Sequence, residues 1–219
     1  MTGRAYGAKI ERVFTLVPPA VRQPSLFGLE EPSVDADFAG LRRLALDDHS
    51  WVDHLPGWLH GEETVFEQLS DVLTWGQRRV TMYDQRLLEP RLTSWWGPGD
   101  GPEPLPILGE IRALLSRRYG ENFDSIGFNC YRDGQDSVAW HGDRHRRVVT
   151  DPVVAIVSVG DPRPFRLRPR GGGAGRGFDL GRGDLLVMGG ACQHDWEHSV
   201  PKVRAAGPRL SISFRHGAR

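Results

Sequence analysis

A histidine and an aspartate two residues apart, His141 and Asp143, are the residues of this sequence best suited to hold a metal ion. On an extended strand, residues i and i+2 point to the same face, so one cation can bind both side chains. The chain contains no other His-x-Asp, and the pair needs a third ligand, for which His198 is the best candidate. We expect His194, which would share the face of His198 on one strand, to be a structural residue or one at the pocket edge.

Two histidines and one carboxylate with open coordination positions form the facial triad of non-haem Fe(II) oxygenases. The triad therefore predicts an iron site, with His141, Asp143 and His198 as metal ligands and catalytic centre.

The last predicted strand, from Arg209 to Arg215, carries two arginines on one face. Alternation sorts the strand into an apolar face of Leu210, Ile212 and Phe214 and a polar face of Arg209, Ser211, Ser213 and Arg215. Buried arginine is rare unless it is paired, so an anion is expected at this face. A dicarboxylate fits, because arginine binds carboxylate through two parallel hydrogen bonds. Taken alone, the strand also fits an edge position with its polar face in water.

A second strand, Ser125 to Tyr131, presents Asn129 and Tyr131 on the face opposite its apolar residues. An amide and a phenol are good neutral donors for a carboxylate oxygen. With this strand included, an interior polar face becomes the better interpretation of the arginines.

The elements around these residues indicate an α+β protein. Apolar spacing predicts helices over residues 61–75 and 104–119, the second with Pro106 in its first turn. Strands are predicted at 79–96 with a break at Glu89-Pro90, and at 125–131, 153–159, 164–169, 184–188 and 209–215. The glycine-rich segment 171–177 matches no phosphate-binding pattern and is predicted to be a hairpin tip.

Many short strands after two helices predict a double-stranded β-helix (jelly roll) core with supporting N-terminal helices. We divide the chain into an N-terminal extension, residues 1–50, partly irregular, and one domain, residues 51–219. The length of 219 residues suits one substantial core.

Over about residues 51–216, the ordered motifs resemble the AlkB family of Fe(II)/2-oxoglutarate-dependent dioxygenases. The resemblance rests on Asn129-Cys130-Tyr131-Arg132-Asp133-Gly134, His141-Gly142-Asp143, His198, and Arg209 to Arg215. It implies that His141, Asp143 and His198 bind Fe(II). It also implies that Asn129, Tyr131 and Arg209 bind the distal carboxylate of 2-oxoglutarate, and that Arg215 lies by the carboxylate next to the keto group.

Three departures from the family pattern bear on the substrate. Ser211 stands where the family usually has Asn, which makes a contact near the keto acid shorter or water-mediated. His145 stands where an acidic residue usually meets the exocyclic amine of the base, so base preference is open. The segment from Trp96 to residue 104 is short, whereas relatives that act on duplex DNA often carry an extra aromatic hairpin there.

Substrate contacts are predicted on both sides of the iron site. Trp95 or Trp96 would stack on an extruded base, although core packing or a hydrophobic lid explains either tryptophan equally well. Arg144, in the basic run 144–147, is a candidate phosphate contact, with His145 beside it.

Composition and net charge limit which partners the protein can bind and in which compartment it is expected. The net charge is zero, from 28 basic and 28 acidic residues, so any nucleic-acid binding must rest on local patches. Nearly all basic residues are arginine, which suits phosphate contacts but also follows from a biased genomic base composition. Two cysteines, no signal peptide and no long apolar run predict a cytoplasmic protein without a membrane segment, and we expect a monomer.

The extension contains a short motif, Gln23–Phe27, that resembles peptides that dock on bacterial sliding clamps. Leu26 and Phe27 would be the hydrophobic anchor and Gln23 the polar one. We favour the simpler alternative, in which Leu26 and Phe27 pack the extension onto the domain.

The resemblance to the AlkB family implies an oxidative demethylase that removes alkyl groups from nucleobases in DNA, as direct-reversal DNA repair, and releases formaldehyde, succinate and CO2. One alternative keeps the chemistry and changes the substrate to RNA, a protein or a small molecule. Another is a metal-containing nucleic-acid-binding module without catalysis. Candidate ligands for both iron and co-substrate argue against that last alternative.

Overall fold

The computed structural model describes residues 12–14, 30–82, 85–143 and 150–217. The motif Gln23–Phe27 and the basic run 144–147 lie outside these residues, so their predicted roles stay predictions. No helix in the described ranges is long and apolar enough to cross a membrane.

Strands dominate the described residues, and three helices interrupt them. The strands are β1 (Arg12–Phe14), β2 (Ser33–Val34), β3 (Arg42–Ala45), β4 (Ser50–Leu55), β5 (Leu59–His60), β6 (Gly76–Met82), β7 (Gln85–Leu88), β8 (Leu92–Trp96), β9 (Phe123–Tyr131), β10 (Val138–His141), β11 (Val154–Gly160), β12 (Arg163–Pro169), β13 (Arg176–Leu180), β14 (Asp184–Gly190), β15 (Trp196–Val200) and β16 (Arg209–His216). The helices are α1 (Glu62–Val72), α2 (Pro106–Tyr119) and α3 (Cys192–Asp195).

Two antiparallel sheets form the core of the molecule. The large sheet runs in the order β1-β6-β8-β9-β16-β11-β14-β4-β3, with β7 paired to β6. The small sheet runs β10-β15-β12-β13. A buried cluster joins the two, with Val154, Ile156 and Leu186 from the large sheet and Phe165 and Leu167 from the small one. The two sheets therefore face each other as in a jelly roll, which confirms the predicted fold class.

The helices cover the other face of the large sheet. Val65, Phe66 and Leu69 of α1 are buried in one cluster with Ile111 and Leu115 of α2. Helix α2 has Pro106 in its first turn, as predicted, and it ends at the C-cap Gly120, which has a positive φ of 71°. These helices support the sheet from behind and leave its inner face to the site.

The sequence missed several short elements. Strands β4, β10, β13 and β15 were not predicted, because four to six residues carry little periodicity. His194 and His198 do not share a strand: His194 lies in the single-turn helix α3, and its Nε2 is 2.8 Å from the Thr150 carbonyl oxygen. The prediction that the two histidines share one strand face was therefore wrong. The predicted structural role of His194 fits its contact with Thr150.

The described part of the predicted extension contributes to the sheets. Strand β3 pairs with β4 at the edge of the large sheet, and β2 pairs with β5. Phe38 is buried and stacks on Trp58, with ring centroids 5.1 Å apart. Residues 33–45 are thus attached to the domain, while the division at residue 50 stays a prediction.

Candidate active site

Strands β10 and β15 bring the three predicted metal ligands together. His141, the last residue of β10, lies directly opposite His198 of β15, and their ring centroids are 4.3 Å apart. Asp143 follows just beyond the end of β10, with its Oδ1 3.8 Å from His141 Nε2 and 4.0 Å from His198 Nε2. All three potential ligand atoms lie within 4.8 Å of one another, so one cation can bind them together.

Neighbouring groups orient these side chains. His141 Nδ1 lies 2.9 Å from the Ala139 carbonyl oxygen, and a proton on Nδ1 would leave the Nε2 lone pair free for a metal. Phe165 stacks on the His198 ring, with centroids 5.4 Å apart. The backbone N–H of Asp143 donates to Oε1 of Gln193, 3.2 Å away.

The charges of the triad also suit a cation. Burial alone would raise the pKa of Asp143, but nearby Arg215, His198 and His141 outweigh it and hold that pKa below its usual range. Burial lowers the pKa of His198 to about 4. Near neutral pH the site therefore offers an ionised carboxylate and a neutral imidazole, the protonation states that metal binding requires.

Arg209 is the clearest sign of an anion site. Its side chain is 1% exposed, and burial lowers its pKa to about 10. Nη2 donates to Ser158 Oγ over 2.6 Å, whereas Nε and Nη1 have no hydrogen-bond partner among the described residues. A buried guanidinium is costly unless it is paired, so an anion such as a carboxylate is expected beside Arg209. The residues present thus fit a carboxylate co-substrate.

The neighbouring strand presents the predicted neutral donors. Tyr131 lies directly opposite Arg209, and Asn129 directly opposite Ser211, in the pairing of β9 with β16. The Arg209 guanidinium carbon lies 5.3 Å from the centre of the Tyr131 ring. Ser211 is buried and also lies opposite Ser158 of β11. The four residues predicted to surround the distal carboxylate and its neighbourhood are thus cross-strand neighbours.

Arg215 contacts the end of the site that carries the metal ligands. Its Nη2 and Nε donate to Asp143 Oδ2 over 3.1 and 3.2 Å. This leaves Oδ1, the oxygen nearer the two histidines, for a metal. The sequence placed Arg215 near the carboxylate of the keto acid, and its position beside a metal ligand is compatible with that role.

The two candidate tryptophans lie on opposite faces of β8. Trp95 is 44% exposed and lies opposite Gly127, on the sheet face that also carries Asn129. Trp96 packs against the cluster under the helices, and its Nε1 donates to the carbonyl oxygens of Gly101 and Pro102. Only Trp95 is therefore placed to meet a substrate. Arg144 and His145 belong to the segment outside the described residues.

The sequence did not reveal two arginines that lie beside co-substrate residues, Arg91 next to Asn129 and Arg163 with its guanidinium carbon 5.6 Å from the Tyr131 ring centre. Arg91 Nε donates to Asn129 Oδ1 over 2.9 Å, which turns the NH2 group of the amide away from Arg91. Arg163 is fully buried and donates to three carbonyl oxygens, those of Asp133, Asp136 and Pro201. Alternation with Phe165 would have placed Arg163 inside the sheet pair, whereas no sequence pattern points to Arg91.

Comparison with known proteins identifies the class. The family model of the 2OG-Fe(II) oxygenase superfamily matches residues 100–215. Among solved structures, OsALKBH1 covers 80% of this chain with a TM-score of 0.58 at 16% identity, and all of that chain is covered. A prolyl hydroxylase from Trichoplax adhaerens covers 76% of this chain and 83% of its own, with a TM-score of 0.53 at 17% identity. At these identities, the two structures establish the fold alone.

Curated relatives indicate to which family within the superfamily the chain belongs. The alpha-ketoglutarate-dependent dioxygenase alkB homolog 3 of Mus musculus is 32% identical, over 73% of this chain and 64% of the relative. The DNA oxidative demethylase ALKBH2 of Arabidopsis thaliana is 30% identical, over 69% of this chain and 61% of the relative. The chain belongs to the 2OG-Fe(II) oxygenase superfamily and, within it, to the AlkB family. Its cofactor is Fe(II) and its co-substrate is 2-oxoglutarate. In each case the chain spans less than two thirds of the relative's length.

Proposed function

We propose that this protein removes alkyl groups from the nitrogens of nucleobases in DNA, as a direct-reversal repair enzyme. The carrying observation is the exposed Trp95 on the site face of β8, beside Arg215, which binds the metal ligand Asp143. An exposed indole next to an oxidising centre suits an extruded base, which aromatic side chains bind by stacking.

Separate groups of residues would hold the metal, the co-substrate and the base. His141, Asp143 and His198 would hold Fe(II), while Arg209, Tyr131 and Asn129 would hold the distal carboxylate of 2-oxoglutarate. Bound iron and 2-oxoglutarate would supply, with oxygen, the oxidation of the methyl carbon, and that carbon would then leave nitrogen as formaldehyde. Trp95 would hold the base so that its methyl group faces the triad.

The relatives support the nucleic-acid part of the proposal by their names. ALKBH2 of Arabidopsis thaliana and of Bos taurus are described as DNA oxidative demethylases. This chain spans less than two thirds of the length of these relatives. The same activity in this chain is therefore a proposal that needs a test.

The direct test is turnover of oligonucleotides that carry 1-methyladenine or 3-methylcytosine. We expect formaldehyde and succinate in equal amounts from the methylated strand, and neither product from His141→Ala. Arg42→Ala is a matched control, because Arg42 is an exposed residue of β3 far along the sheet from the site.

Parallel DNA and RNA strands, single and double, decide the nucleic-acid class. Turnover confined to RNA would replace DNA in the proposal. Succinate formed without formaldehyde on every methylated strand would exclude a nucleobase substrate and leave the dioxygenase chemistry intact.

A further inference from the structure

A basic groove lies on the outer face of the small sheet, away from the cluster between the sheets. Its volume is about 430 Å³, and its lining residues are Trp140, Arg166, Leu167, Arg168, Gly175, Arg176 and Gly177. On β12, Phe165 and Leu167 point into the core, so Arg166 and Arg168 point outward into the groove. The same strand thus supports His198 on one face and the groove on the other.

The charge of the groove stands out against a chain of zero net charge. We call β12, β13 and their connecting turn, residues 163–180, the arginine hairpin. It contains five arginines and a single acidic residue, Asp179. Arg163 is buried, whereas Arg166, Arg170 and Arg176 are exposed. A local positive patch of this kind attracts phosphate even when the whole molecule is neutral.

Two of the groove arginines are available to a ligand. Arg168 is bound to Glu197, with Nη2 2.9 Å from Oε2, and lies over the Trp140 ring at 4.2 Å. No carboxylate of the described residues forms an ion pair with Arg166 or Arg176. Trp140 itself remains 38% exposed.

The groove and the active site share strands β10 and β12 but lie on opposite faces of the small sheet. Trp140 directly precedes the metal ligand His141 on β10. Arg170, at the end of β12, reaches Gly142 between the ligands His141 and Asp143, so closely that a Cβ on Gly142 would collide with Arg170 Nη2. An arginine of the same hairpin as the groove therefore lies against the residue between two metal ligands.

We propose that the groove binds the sugar-phosphate backbone of the nucleic-acid strand that carries the target base, with Arg166 and Arg176 on phosphates and Trp140 against a neighbouring sugar or base. This inference rests on the proposed function. Arginine forks suit phosphate oxygens, and an exposed indole packs on any base without reading its sequence. Gly177 leaves room for the Arg166 side chain on the groove floor, because a Cβ there would displace Arg166 Nη1.

The test compares two double variants with the same loss of charge. Arg166→Gln with Arg176→Gln removes the groove contacts, and Arg42→Gln with Arg117→Gln removes two exposed arginines on β3 and α2. Fluorescence anisotropy measures binding of an unmodified single strand of about 15 nucleotides across a salt series. We expect roughly tenfold weaker binding for the groove variant, with a salt slope about 1.5 lower, because each lost phosphate contact removes about 0.7. The control variant should match the unaltered protein, and equal binding by both variants would overturn the inference.

Demethylation rates on short and long strands distinguish a failure of this inference from a failure of the proposed function. A methylated trinucleotide is short enough to enter the site without filling the groove, so the groove variant should demethylate it at the normal rate. The same variant should show a raised KM on the long methylated strand. If no methylated strand of any length is turned over, the proposed function fails, while the anisotropy result still decides whether the groove binds a strand.

Discussion

Substitution of Arg209 is expected to weaken 2-oxoglutarate binding without lowering the stability of the protein. Its guanidinium is buried, and two of its nitrogens lack a hydrogen bond within the described residues. Replacing a buried charge by an apolar side chain of similar volume is often neutral or stabilising, while a buried carboxylate that loses its partner costs affinity.

We therefore expect Arg209→Met to bind 2-oxoglutarate about 30-fold more weakly, which corresponds to about 2 kcal/mol. Its melting temperature without co-substrate should stay unchanged or rise. Thermal shifts with and without 2-oxoglutarate, in the presence of Fe(II) and absence of oxygen, measure both effects. Arg42→Met is the control, and an undiminished shift in Arg209→Met would show that the carboxylate binds elsewhere.

Arg91 is expected to act through Asn129. Because its Nε–H donates to Asn129 Oδ1, it fixes which end of the amide can donate to the co-substrate. Arg91→Met should raise the KM for 2-oxoglutarate roughly fivefold, about 1 kcal/mol, with little change in kcat. The change should vanish in an Asn129→Ala background, as a double-mutant cycle would show. Full additivity of the two substitutions would mean that Arg91 acts independently of Asn129.

At the scale of elements, β9 and β16 form the unit that places the co-substrate residues. Their pairing is continuous from Arg209 opposite Tyr131 to Arg215 opposite Ser125. In the middle of this pair, Gly127 leaves room for the Arg215 side chain: a Cβ there would lie 2.6 Å from Arg215 Nη1 and 3.4 Å from Trp95 Cζ3.

Gly127→Ala tests this placement. The new methyl group displaces the end of a flexible side chain, so we expect little change in the free energy of unfolding but loss of the Arg215–Asp143 bond. A hydrogen bond between charged groups contributes about 1.5 kcal/mol, which predicts a roughly tenfold lower turnover. Gly171→Ala, at an open position of the hairpin turn, is the matched control. Normal turnover in Gly127→Ala would argue that Arg215 tolerates displacement.

Element length explains which parts of the site the sequence could predict. Strands β9 and β16 are long enough for alternation to place Asn129, Tyr131, Arg209 and Arg215 on one polar face, as the structure has them. Strand β10 has only four residues and an irregular pairing, so the sequence could not show that His141 lies opposite His198. Arg91 reaches Asn129 from a third strand's end, a contact that depends on sheet order and not on spacing in the sequence.

For the molecule as a whole, acid is expected to weaken the metal-free protein. Burial lowers the pKa of His198 to about 4 and also lowers that of His54. The unfolded chain therefore takes up protons at these residues from about pH 6.5 downward, before the folded protein does, and stability falls as the pH drops towards 4.

Urea unfolding of the metal-free protein between pH 7 and pH 4.5 should show this loss. His198 accounts for at most about 3 kcal/mol of this loss, because burial lowers its pKa from an ordinary value of about 6.5 to about 4. His198→Leu should flatten the dependence but not abolish it, because His54 remains. A wild-type stability that is constant across this range would contradict the neutral burial of His198.

The opposition of His141 and His198 has a further consequence for the small sheet. Strand β10 lies at the edge of that sheet and is only four residues long. A metal bound to both histidines is a cross-link between this edge strand and its neighbour β15. Exposed edges are sites where separate chains pair and aggregate, so bound iron would hold this edge strand against β15 and make such pairing less favourable.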